Sequence, residues 1–252
     1  MKKIYFLLLL ACISTACSLG TDSDKLVVIE TKFGNMTVAL YDETPKHKAN
    51  FLNLADGGEY NGTIFHRVIR DFMVQGGGID IKEGNSGVAP SPDQLLDNEI
   101  RPNLFHEKGT LAAARQEDSV NPDKLSSWCQ FYIVQGKIYT EEELNNMARQ
   151  INLKTLQPIM QKLLASGTYP AIDSAYNGMQ ARGEYQQMNT KMFDCLPQLE
   201  EVAGSKIQLS SISEEAKKAY TSIGGTPFLD NNYTVFGKVL EGLEVIDSIA
   251  AQ

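Results

Sequence analysis

Short runs of residues with strand character, each ended by a turn signal, limit most strongly what this chain can fold into. Leu26–Thr31 alternates with period two, Phe33-Gly34-Asn35 predicts a turn, and Met36–Tyr41 continues as a strand, a pattern typical of a β-hairpin. Further short strands are predicted at Thr63–Ile69, Phe72–Gln75, Thr110–Ala114, Gln130–Val134 and Tyr233–Val239. So many short strands favour a mainly β fold built around a barrel.

Two helices are predicted beside these strands. Thr44-Pro45 marks a helix start, with threonine as the N-cap and proline at the first helical position. Apolar residues continue at helical spacing until Gly57-Gly58 stop the helix. Leu243–Ala250 predicts a second helix near the C-terminus. We therefore expect a barrel with two flanking helices.

The segment 137–223 has a different pattern, which predicts an α-helical insertion. Thr140–Glu143 is a capping-box sequence, and the residues after it are rich in Leu, Met, Gln, Lys and Ala. Prolines and glycines divide the segment into about four predicted helices, at Pro158, Gly167, Pro170, Gly178, Gly183 and Pro197. The insertion is expected to pack on the barrel as a small subdomain through its own apolar stripes. A partner- or substrate-binding arm is the alternative.

The stretch 65–77 combines one cation with apolar and amide side chains. With period two, Arg67 lies on the same face as Phe65 and Ile69, and a charge among apolar neighbours requires a partner or a ligand. One short strand then supplies two large apolar residues and an amide, Phe72, Met73 and Gln75. The combination is typical of a pocket floor with one fixed cation. The alternatives are a salt-bridged surface arginine and plain core packing of the apolar pair.

This stretch resembles the signature strand pair of cyclophilins, and three further segments resemble that family in the family's own order. Gly109–Arg115 is similar to the strand that ends in alanine and asparagine, and Ser127–Ile133 is similar to the Ser-Gln-Phe-Phe-Ile strand with two residues inserted. Gly224–Asp230 with Tyr233–Gly237 resembles the C-terminal loop and last strand. The resemblance implies a closed antiparallel cyclophilin-like β-barrel and peptidyl-prolyl cis/trans isomerase activity, with no cofactor and no metal.

The resemblance also implies residue roles. Arg67 occupies the position of the catalytic arginine, which suits the reaction because a guanidinium stays charged and presents a rigid donor fork. Gln75 and Gln130, with the main chain near Ala114 and Arg115, would hold the substrate backbone. The residues that would line the proline pocket are Phe72, Met73, Tyr132, Phe228 and Leu229, and Tyr233 stands where many members have histidine.

Two positions depart from the family pattern. Phe228 replaces the tryptophan of cyclosporin-sensitive members, so that an indole N–H donor is lost. Arg115 replaces asparagine and is expected to add charge beside the substrate groove. Activity is therefore expected, together with weaker binding of cyclosporin.

The N-terminal residues predict export. A basic start at Met1-Lys2-Lys3 precedes an apolar run that is shorter than the roughly 20 residues of a membrane-spanning helix, which is typical of a signal peptide. Ser14–Cys17 resembles the lipobox of bacterial lipoproteins, so Cys17 is the predicted lipidated residue; Cys12, or an ordinary cleaved signal, is the alternative. The chain is thus expected to be an exported lipoprotein, membrane-anchored and facing the periplasm or the cell surface.

The predicted organisation is a lipoprotein signal peptide at 1–16, a tether at 17–25, barrel segments at 26–136 and 224–252, and the insertion at 137–223. Cys129 and Cys195 are the cysteines outside the N-terminal region, and they are either bridged or buried as thiols. With 31 acidic and 23 basic residues and a formal charge of -8, the chain lacks the basic footprint of a nucleic-acid-binding protein. No Ser/His/Asp arrangement competes with the isomerase prediction.

The expected partners are therefore proline-containing peptides and unfolded exported proteins, together with the membrane through the lipid anchor. The alternative function is a non-catalytic or weakly catalytic peptide-binding or chaperone module that acts through the helical insertion. An intact Arg67 with Phe72, Met73 and Gln75 favours the enzyme.

Overall fold

A computed structural model describes residues 26–79 and 94–252. Its strands are β1 (Leu26–Thr31), β2 (Gly34–Leu40), β3 (Arg67–Ile69), β4 (Met73–Gly76), β5 (Leu95–Leu96), β6 (Thr110–Ala113), β7 (Ser126–Ser127), β8 (Phe131–Val134) and β9 (Val235–Glu241). Seven of them form one antiparallel sheet, and β5 pairs with β7 separately. The predicted hairpin is confirmed, with Leu26 opposite Ala39 and Thr31 opposite Gly34.

The helices of this part of the chain are α1 (Pro45–Asp56), α2 (Glu141–Ser166), α3 (Pro170–Ala181), α4 (Tyr185–Asp194), α5 (Leu196–Ala203), α6 (Glu214–Ser222) and α7 (Leu243–Ala250). Each of these helices has at least 8 residues and α2 has 26, whereas no strand has more than 7, so helical residues outnumber strand residues in the described part of the chain. The predicted mainly β fold is therefore wrong in its proportions, because the insertion carries so much helix. The predicted pair of flanking helices is confirmed as α1 and α7.

The sheet is curled and open, which corrects the predicted closed barrel. Its order is β1-β2-β9-β6-β8-β4-β3, so that β1 and β3 are the two edges. β3 has only 3 residues, too few to pair along β1. Helix α7 packs against β2 near one edge and against β3 and β4 at the other. One helix thus packs near both edges of the open sheet.

One face of the sheet forms the main hydrophobic core. Val74, Ile133 and Leu111 lie opposite one another on β4, β8 and β6, and all three are fully buried. Helices α1 and α7 cover this face with Phe51, Val245, Ile246 and Ile249. Because successive strand residues point to opposite faces, the residues that alternate with this core row lie on the other side of the sheet.

Helix α1 starts where the sequence predicts, but a distant carboxylate caps it. Thr44 is the N-cap residue, and its side chain makes no capping hydrogen bond. Instead the Glu99 carboxylate accepts from the backbone N–H groups of Lys46 and His47, at 3.1 and 2.9 Å. A negative charge at a helix N-terminus stabilises the helix through its dipole. The loop before β6 therefore fixes α1 against the sheet.

The segment 137–223 is helical, as predicted, but it forms five helices among the described residues rather than four. The capping box at Thr140 and Glu143 is confirmed. Pro158 does not end a helix, although proline removes a backbone donor; it lies inside α2. The helix continues because Leu156 and Met160, on either side of the proline, are fully buried in one cluster.

The helical segment packs in two separate clusters. Helices α2 to α5 share a core of their own, formed by Leu153, Leu156, Met160, Leu163, Tyr176, Met188, Met192, Cys195 and Leu199. Helix α6 and the start of α2 instead form a cluster with the loop before β6, made of Tyr139, Leu144, Ala216 and Tyr220 with Phe105. The predicted boundary at 223 therefore places α6 in the insertion, although its side chains pack beside the sheet.

Cys129 lies next to the sheet and Cys195 lies in the core of the helical segment, where both are buried thiols without a mutual disulfide. None of the helices formed by the described residues is long and apolar enough to cross a membrane. The predicted signal peptide, Cys12, Cys17 and the tether lie outside the described residues.

Candidate active site

Strand register places a row of side chains on the face opposite the main core. Arg67 lies opposite Gln75, Gln75 opposite Tyr132, and Tyr132 opposite Ala112. Directly paired residues project from the same face of a sheet. The guanidinium of Arg67 is exposed at one end of the row, and Ala112 is buried near the other. Phe65 was predicted to share this face, but it precedes β3 and packs against the main core.

Amide side chains orient Arg67. Its Nη1 donates to Oε1 of Gln75 at 3.2 Å, and Nε2 of Gln75 donates to Oε1 of Gln130 at 3.0 Å. Among the described residues, no carboxylate forms an ion pair with Arg67. The arginine therefore keeps an unneutralised charge and further N–H donors on an open face. These are the properties that a group needs if it is to act on a bound ligand.

An apolar surface lies beside this cation. Met73 and Tyr132 are 1% and 4% exposed and cluster with Ala112, Ala114 and Leu229. Phe72 and Tyr233 pack against the cluster from the rim. Phe228 is 49% exposed, with its ring centroid 5.5 Å from that of Phe72. The half-buried ring of Phe72 and the exposed ring of Phe228 flank this buried floor with its small alanines, and the apolar surface that they form is called the socket below.

A tight turn between β3 and β4 aims Phe72 at the socket. Asp71 has a positive φ of 60°, and its N–H donates to Oε1 of Gln135 at 2.7 Å. The Phe72 carbonyl accepts from the backbone N–H groups of Gln135 and Gly136, both at 3.0 Å. These bonds fix the backbone of Phe72 on both sides, so that its ring is held beside Phe228.

Behind the socket, a hydrogen-bonded chain joins four buried or half-buried side chains. The Tyr132 hydroxyl lies 3.0 Å from Nε2 of His106, and Nδ1 of His106 lies 2.9 Å from Oδ1 of Asp230. The Tyr220 hydroxyl donates to Oδ2 of Asp230 at 2.6 Å. Burial raises the pKa of Tyr132 well above its usual value. Burial and the neighbouring Asp230 carboxylate likewise raise the pKa of Tyr220, so both phenols stay protonated.

A glycine lets helix α6 approach this chain. A Cβ atom on Gly225 would lie 2.3 Å from the carbonyl oxygen of His106 and 2.5 Å from Cε1 of Tyr220. Neither contact is possible for a larger residue, so the close packing of Tyr220 on the loop of His106 depends on Gly225. The sequence segment Gly224-Gly225-Thr226 therefore has a packing role next to the socket.

Arg115 does not place a free charge in the groove, contrary to the sequence-based expectation. Its side chain is 4% exposed and forms an ion pair with Asp118 at 2.7 Å. Its Nε donates to the Asn232 carbonyl at 2.7 Å, and the guanidinium stacks 4.5 Å from the ring centroid of Tyr233. Arg115 therefore fixes Tyr233 and the turn before β9.

The main chain at Ala114 is already engaged within the fold. Its N–H donates to the Gln130 carbonyl at 2.9 Å, and its carbonyl accepts from the N–H of Ser127 at 2.8 Å. Of the two main-chain positions predicted to bind substrate, Arg115 is thus the better placed one. The Gln130 side chain lies beside this edge and beside His66, whose pKa is lowered by burial.

The fold thus brings the residues selected from the sequence onto one face, in three adjoining groups. Arg67, Gln75 and Gln130 form the polar edge; Phe72, Met73, Tyr132, Phe228 and Leu229 form the apolar socket; Ala114, Arg115 and Tyr233 form the far rim. Sequence reasoning missed His106, Asp230 and Tyr220. Asp230 directly follows the pocket pair Phe228-Leu229 and could have been found from that position. Within the described residues, no group of three or more His, Cys, Asp or Glu side chains could hold a metal ion.

Comparison with known proteins identifies the family. The family model described as cyclophilin type peptidyl-prolyl cis-trans isomerase/CLD matches residues 26–152 and 216–252. A Staphylococcus saprophyticus protein named as a peptidyl-prolyl cis-trans isomerase is 28% identical over 225 residues, which are 89% of this chain and 80% of that protein. One from Staphylococcus epidermidis is 29% identical over 230 residues, 91% of this chain and 82% of that protein. Both alignments are long enough to extend into the helical segment that the family model leaves unmatched.

Solved structures give a weaker likeness of the same kind. The crystal structure of a Cryptosporidium parvum cyclophilin type peptidyl-prolyl cis-trans isomerase, determined in the presence of the dipeptide Ala-Pro, is 20% identical. It aligns over 90% of this chain and 85% of that chain with a TM-score of 0.47. The match of the family model, which extends over both parts of the sheet and its two flanking helices, shows that this chain belongs to the cyclophilin-type peptidyl-prolyl cis-trans isomerases.

Proposed function

We propose that this isomerase binds X-Pro segments of exported proteins on the site face, with Arg67 as the catalytic group. The observation that carries this proposal is the row formed by Arg67, Gln75 and Tyr132, which sets a free cation beside an apolar socket. A prolyl ring is apolar and its amide nitrogen carries no hydrogen. A socket for the ring with a donor beside it therefore matches the chemistry of that residue.

The guanidinium acts on the bond that has to rotate. Rotation of a peptide bond costs about 18–20 kcal/mol because the C–N bond has partial double-bond character. As the bond twists, the nitrogen lone pair leaves amide resonance and can accept a hydrogen bond from Arg67. This bond is stronger in the twisted state than in the planar state, which is the condition for a gain in rate. No nucleophile and no proton transfer are required.

The remaining site residues hold the substrate while it turns. Phe72, Met73, Phe228 and Leu229 anchor the ring by apolar contact, and Gln75 keeps the guanidinium in place. Gln130 and the main chain of Arg115 lie at the edge of the groove, where they would bind substrate backbone groups. One side of the X-Pro bond is thus fixed, and the other side is free to rotate.

The activity of Arg67 is tested with a protease-coupled assay on a short peptide that contains one X-Pro bond. Arg67→Ala is expected to lower kcat/KM by about 100-fold, the scale of one lost transition-state donor. The residue is exposed, so the circular dichroism spectrum and the unfolding midpoint should not change. Arg182→Ala, which removes an exposed arginine in the helical segment, is the control. A folded Arg67→Ala variant with near-normal turnover would exclude the proposed mechanism.

A folding role at the membrane surface is the second part of the proposal. Its support is the N-terminal sequence, in which a basic start, an apolar run and Ser14–Cys17 precede the domain. A lipid anchor binds the membrane through its buried acyl chains, so loss of the lipidated cysteine should release the protein. Cys17→Ser should move the protein from the membrane fraction to the soluble fraction of the cell that produces it. If Cys12→Ser has this effect and Cys17→Ser does not, Cys12 is the anchor.

The alternative, a binding module without useful catalysis, predicts a different result. The wild-type protein would then slow aggregation of an unfolded protein without accelerating its proline-limited refolding, and Arg67→Ala would leave that effect unchanged. The isomerase predicts that refolding is accelerated and that Arg67→Ala removes the acceleration. The unneutralised charge of Arg67 favours the isomerase.

A further inference from the structure

The hydrogen-bonded chain behind the socket connects two of its walls with helix α6. Tyr132 forms part of the floor, on β8. Asp230 ends the short 3-10 turn Pro227–Leu229 that carries Phe228 and Leu229. His106 lies between them, fully buried. Its ring stacks on Tyr132 with 6.1 Å between centroids and an interplanar angle of 11°.

The direction of each hydrogen bond follows from the chemistry of its partners. A carboxylate only accepts, so Nδ1 of His106 donates to Asp230 and Nε2 of a neutral ring accepts from Tyr132. The backbone N–H of His106 is shared between Oδ1 of Asp230 and the Tyr220 hydroxyl, at 2.9 and 3.0 Å. The Tyr220 hydroxyl in turn donates to Oδ2 of Asp230. Each polar side-chain atom of these four residues thus has a hydrogen-bond partner, and the Asp230 carboxylate accepts at both oxygens.

This arrangement fixes the distance between the floor and the wall of the socket. If this hydrogen-bonded chain is interrupted, Asp230 and the 3-10 turn lose their side-chain tie to β8, and Phe228 and Leu229 can shift relative to Tyr132. The backbone before the turn stays tied to the His106 loop, because the Thr226 N–H donates to the His106 carbonyl at 2.8 Å. Phe228 itself is half exposed, and its aromatic contact is Phe72. The width of the socket should therefore depend on groups that never touch the substrate.

We propose that Tyr220, His106 and Asp230 are positioning residues for the isomerase reaction, which hold the Phe228–Leu229 wall at the distance from Tyr132 that fits a prolyl ring. Tyr220 belongs to α6, outside the sheet, and its hydroxyl is linked to the socket through this hydrogen-bonded chain. The inference rests on the proline pocket proposed above and adds residues to it that the family resemblance did not supply.

Tyr220→Phe and Tyr132→Phe test the chain from its two ends. Each removes one hydroxyl and keeps the ring, so the apolar clusters stay filled. Tyr220→Phe also leaves the His106 N–H bonded to Asp230, whose side chain is 18% exposed and can bind water, so this variant should fold. Each single variant should weaken binding of an X-Pro tetrapeptide and lower kcat/KM by about 5-fold to 10-fold, the scale of one buried hydrogen bond.

The double variant separates positioning from general destabilisation. If the two hydroxyls act through one chain, Tyr132→Phe with Tyr220→Phe should lose little more than either single variant, because coupled residues are not additive. Tyr139→Phe, which removes a hydroxyl from the cluster that contains Tyr220, is the matched control and should leave peptide affinity unchanged. Additive losses, or an equal loss in Tyr139→Phe, would overturn the inference.

The same measurements distinguish failure of the positioning role from failure of the proposed proline pocket on which it rests. A wild-type protein that does not accelerate isomerisation, or an Arg67→Ala variant of normal activity, would remove the proposed site itself. An active wild type with an inactive Arg67→Ala variant and a normal Tyr220→Phe variant would leave the site in place and reject only the positioning role of the chain.

Discussion

Nη1 of Arg67 donates to Oε1 of Gln75 across 3.2 Å, and the two residues face each other directly in the β3–β4 ladder. Gln75 is fixed in turn by its bond to Gln130. The cation that we propose as the catalytic group is therefore oriented by neutral amides, which leave its charge available to a bound ligand. A carboxylate partner would neutralise part of that charge.

Replacement of Gln75 by methionine should reduce turnover by leaving Arg67 without its partner. Gln75→Met keeps the length of the side chain but removes both hydrogen bonds, and we expect kcat/KM to fall about 10-fold, as for the loss of one or two net hydrogen bonds. Arg67→Ala should cost more, because it removes the donor itself. The protease-coupled assay measures both variants, with Gln150→Met on the exposed face of α2 as control. A larger loss in Gln75→Met than in Arg67→Ala would contradict this order.

Cyclosporin should bind more tightly after replacement of Phe228 by tryptophan. Phe228 lies on the exposed rim, 49% accessible and next to Phe72, so a larger ring with an N–H donor can be accommodated without repacking the core. One added hydrogen bond is worth about 1 kcal/mol, or a roughly 5-fold lower Kd. Calorimetric titration of wild type and Phe228→Trp measures the difference. Equal affinities would show that position 228 does not correspond to the tryptophan of sensitive cyclophilins.

Strand alternation alone did not predict the site face correctly, because it placed Phe65 beside Arg67 although Phe65 precedes β3. Arg67, Gln75 and Tyr132 were assigned to one site by the family resemblance, and the strand register places them in one row. The openness of the sheet could not be predicted, because strand order and the pairing of edge strands are set by the fold as a whole and not by the pattern of any one strand. The capping of α1 by Glu99 was missed because the two segments are distant in sequence.

Side-chain direction was the other limit of prediction. Arg115 was expected to add charge beside the groove. Asp118, three residues later, pairs with its guanidinium locally, whereas the ring of Tyr233 and the Asn232 carbonyl reach it only through the turn before β9. The contact between His106 and Tyr220 could not be predicted either, because these residues are more than a hundred positions apart in sequence and meet only in the folded protein. Family resemblance supplied the residues that we propose to contact substrate, whereas the hydrogen-bonded residues behind them became evident only from the structure.

The buried pair of His47 and Glu99 should make the protein sensitive to acid. Nδ1 of His47 lies 2.7 Å from Oε2 of Glu99, whereas Nε2 is buried without a partner among the described residues. Burial lowers the pKa of His47 below 6.5, despite the neighbouring carboxylate. Burial by itself raises the pKa of Glu99, but its hydrogen bonds with His47 and Lys46 lower it overall below 4.5. Both groups therefore bind fewer protons in the folded state than in the unfolded state.

The sign of the pH effect follows directly. The free energy of unfolding rises with pH wherever the unfolded chain binds more protons. It should therefore fall as the pH decreases below 6.5, and fall further below 4.5. His47→Asn keeps a donor near Glu99 without a titrating ring, so its unfolding midpoint in urea should vary less between pH 6.5 and 4.5. His66 contributes in the same direction, so the difference between the variants isolates His47. Identical profiles would contradict the assignment.

Two residues of the helical segment that are distant in sequence lie in contact, so the residues between them can be deleted. Nδ2 of Asn152 donates to the Ser210 carbonyl at 2.9 Å, and the Ser210 N–H donates to Oδ1 of Asn152 at 2.7 Å. Replacement of residues 153–209 by a short Gly/Ser link would therefore join two neighbouring backbones. It removes the separate core of α2 to α5 as a unit and keeps α6 with the start of α2.

We expect this short deletion to fold and to turn over a small proline peptide normally, because Tyr220 and its bonds to Asp230 and His106 remain. Deletion of the whole predicted insertion, 137–223, removes Tyr220 and should lower peptide turnover as well. Refolding of a proline-limited protein should suffer in both deletions if the helical segment binds unfolded chains. If the short deletion refolds such a protein as fast as the wild type does, the segment serves another partner. If it loses peptide turnover while the sheet stays folded, the core of α2 to α5 supports the site directly, and the division between the two clusters is wrong.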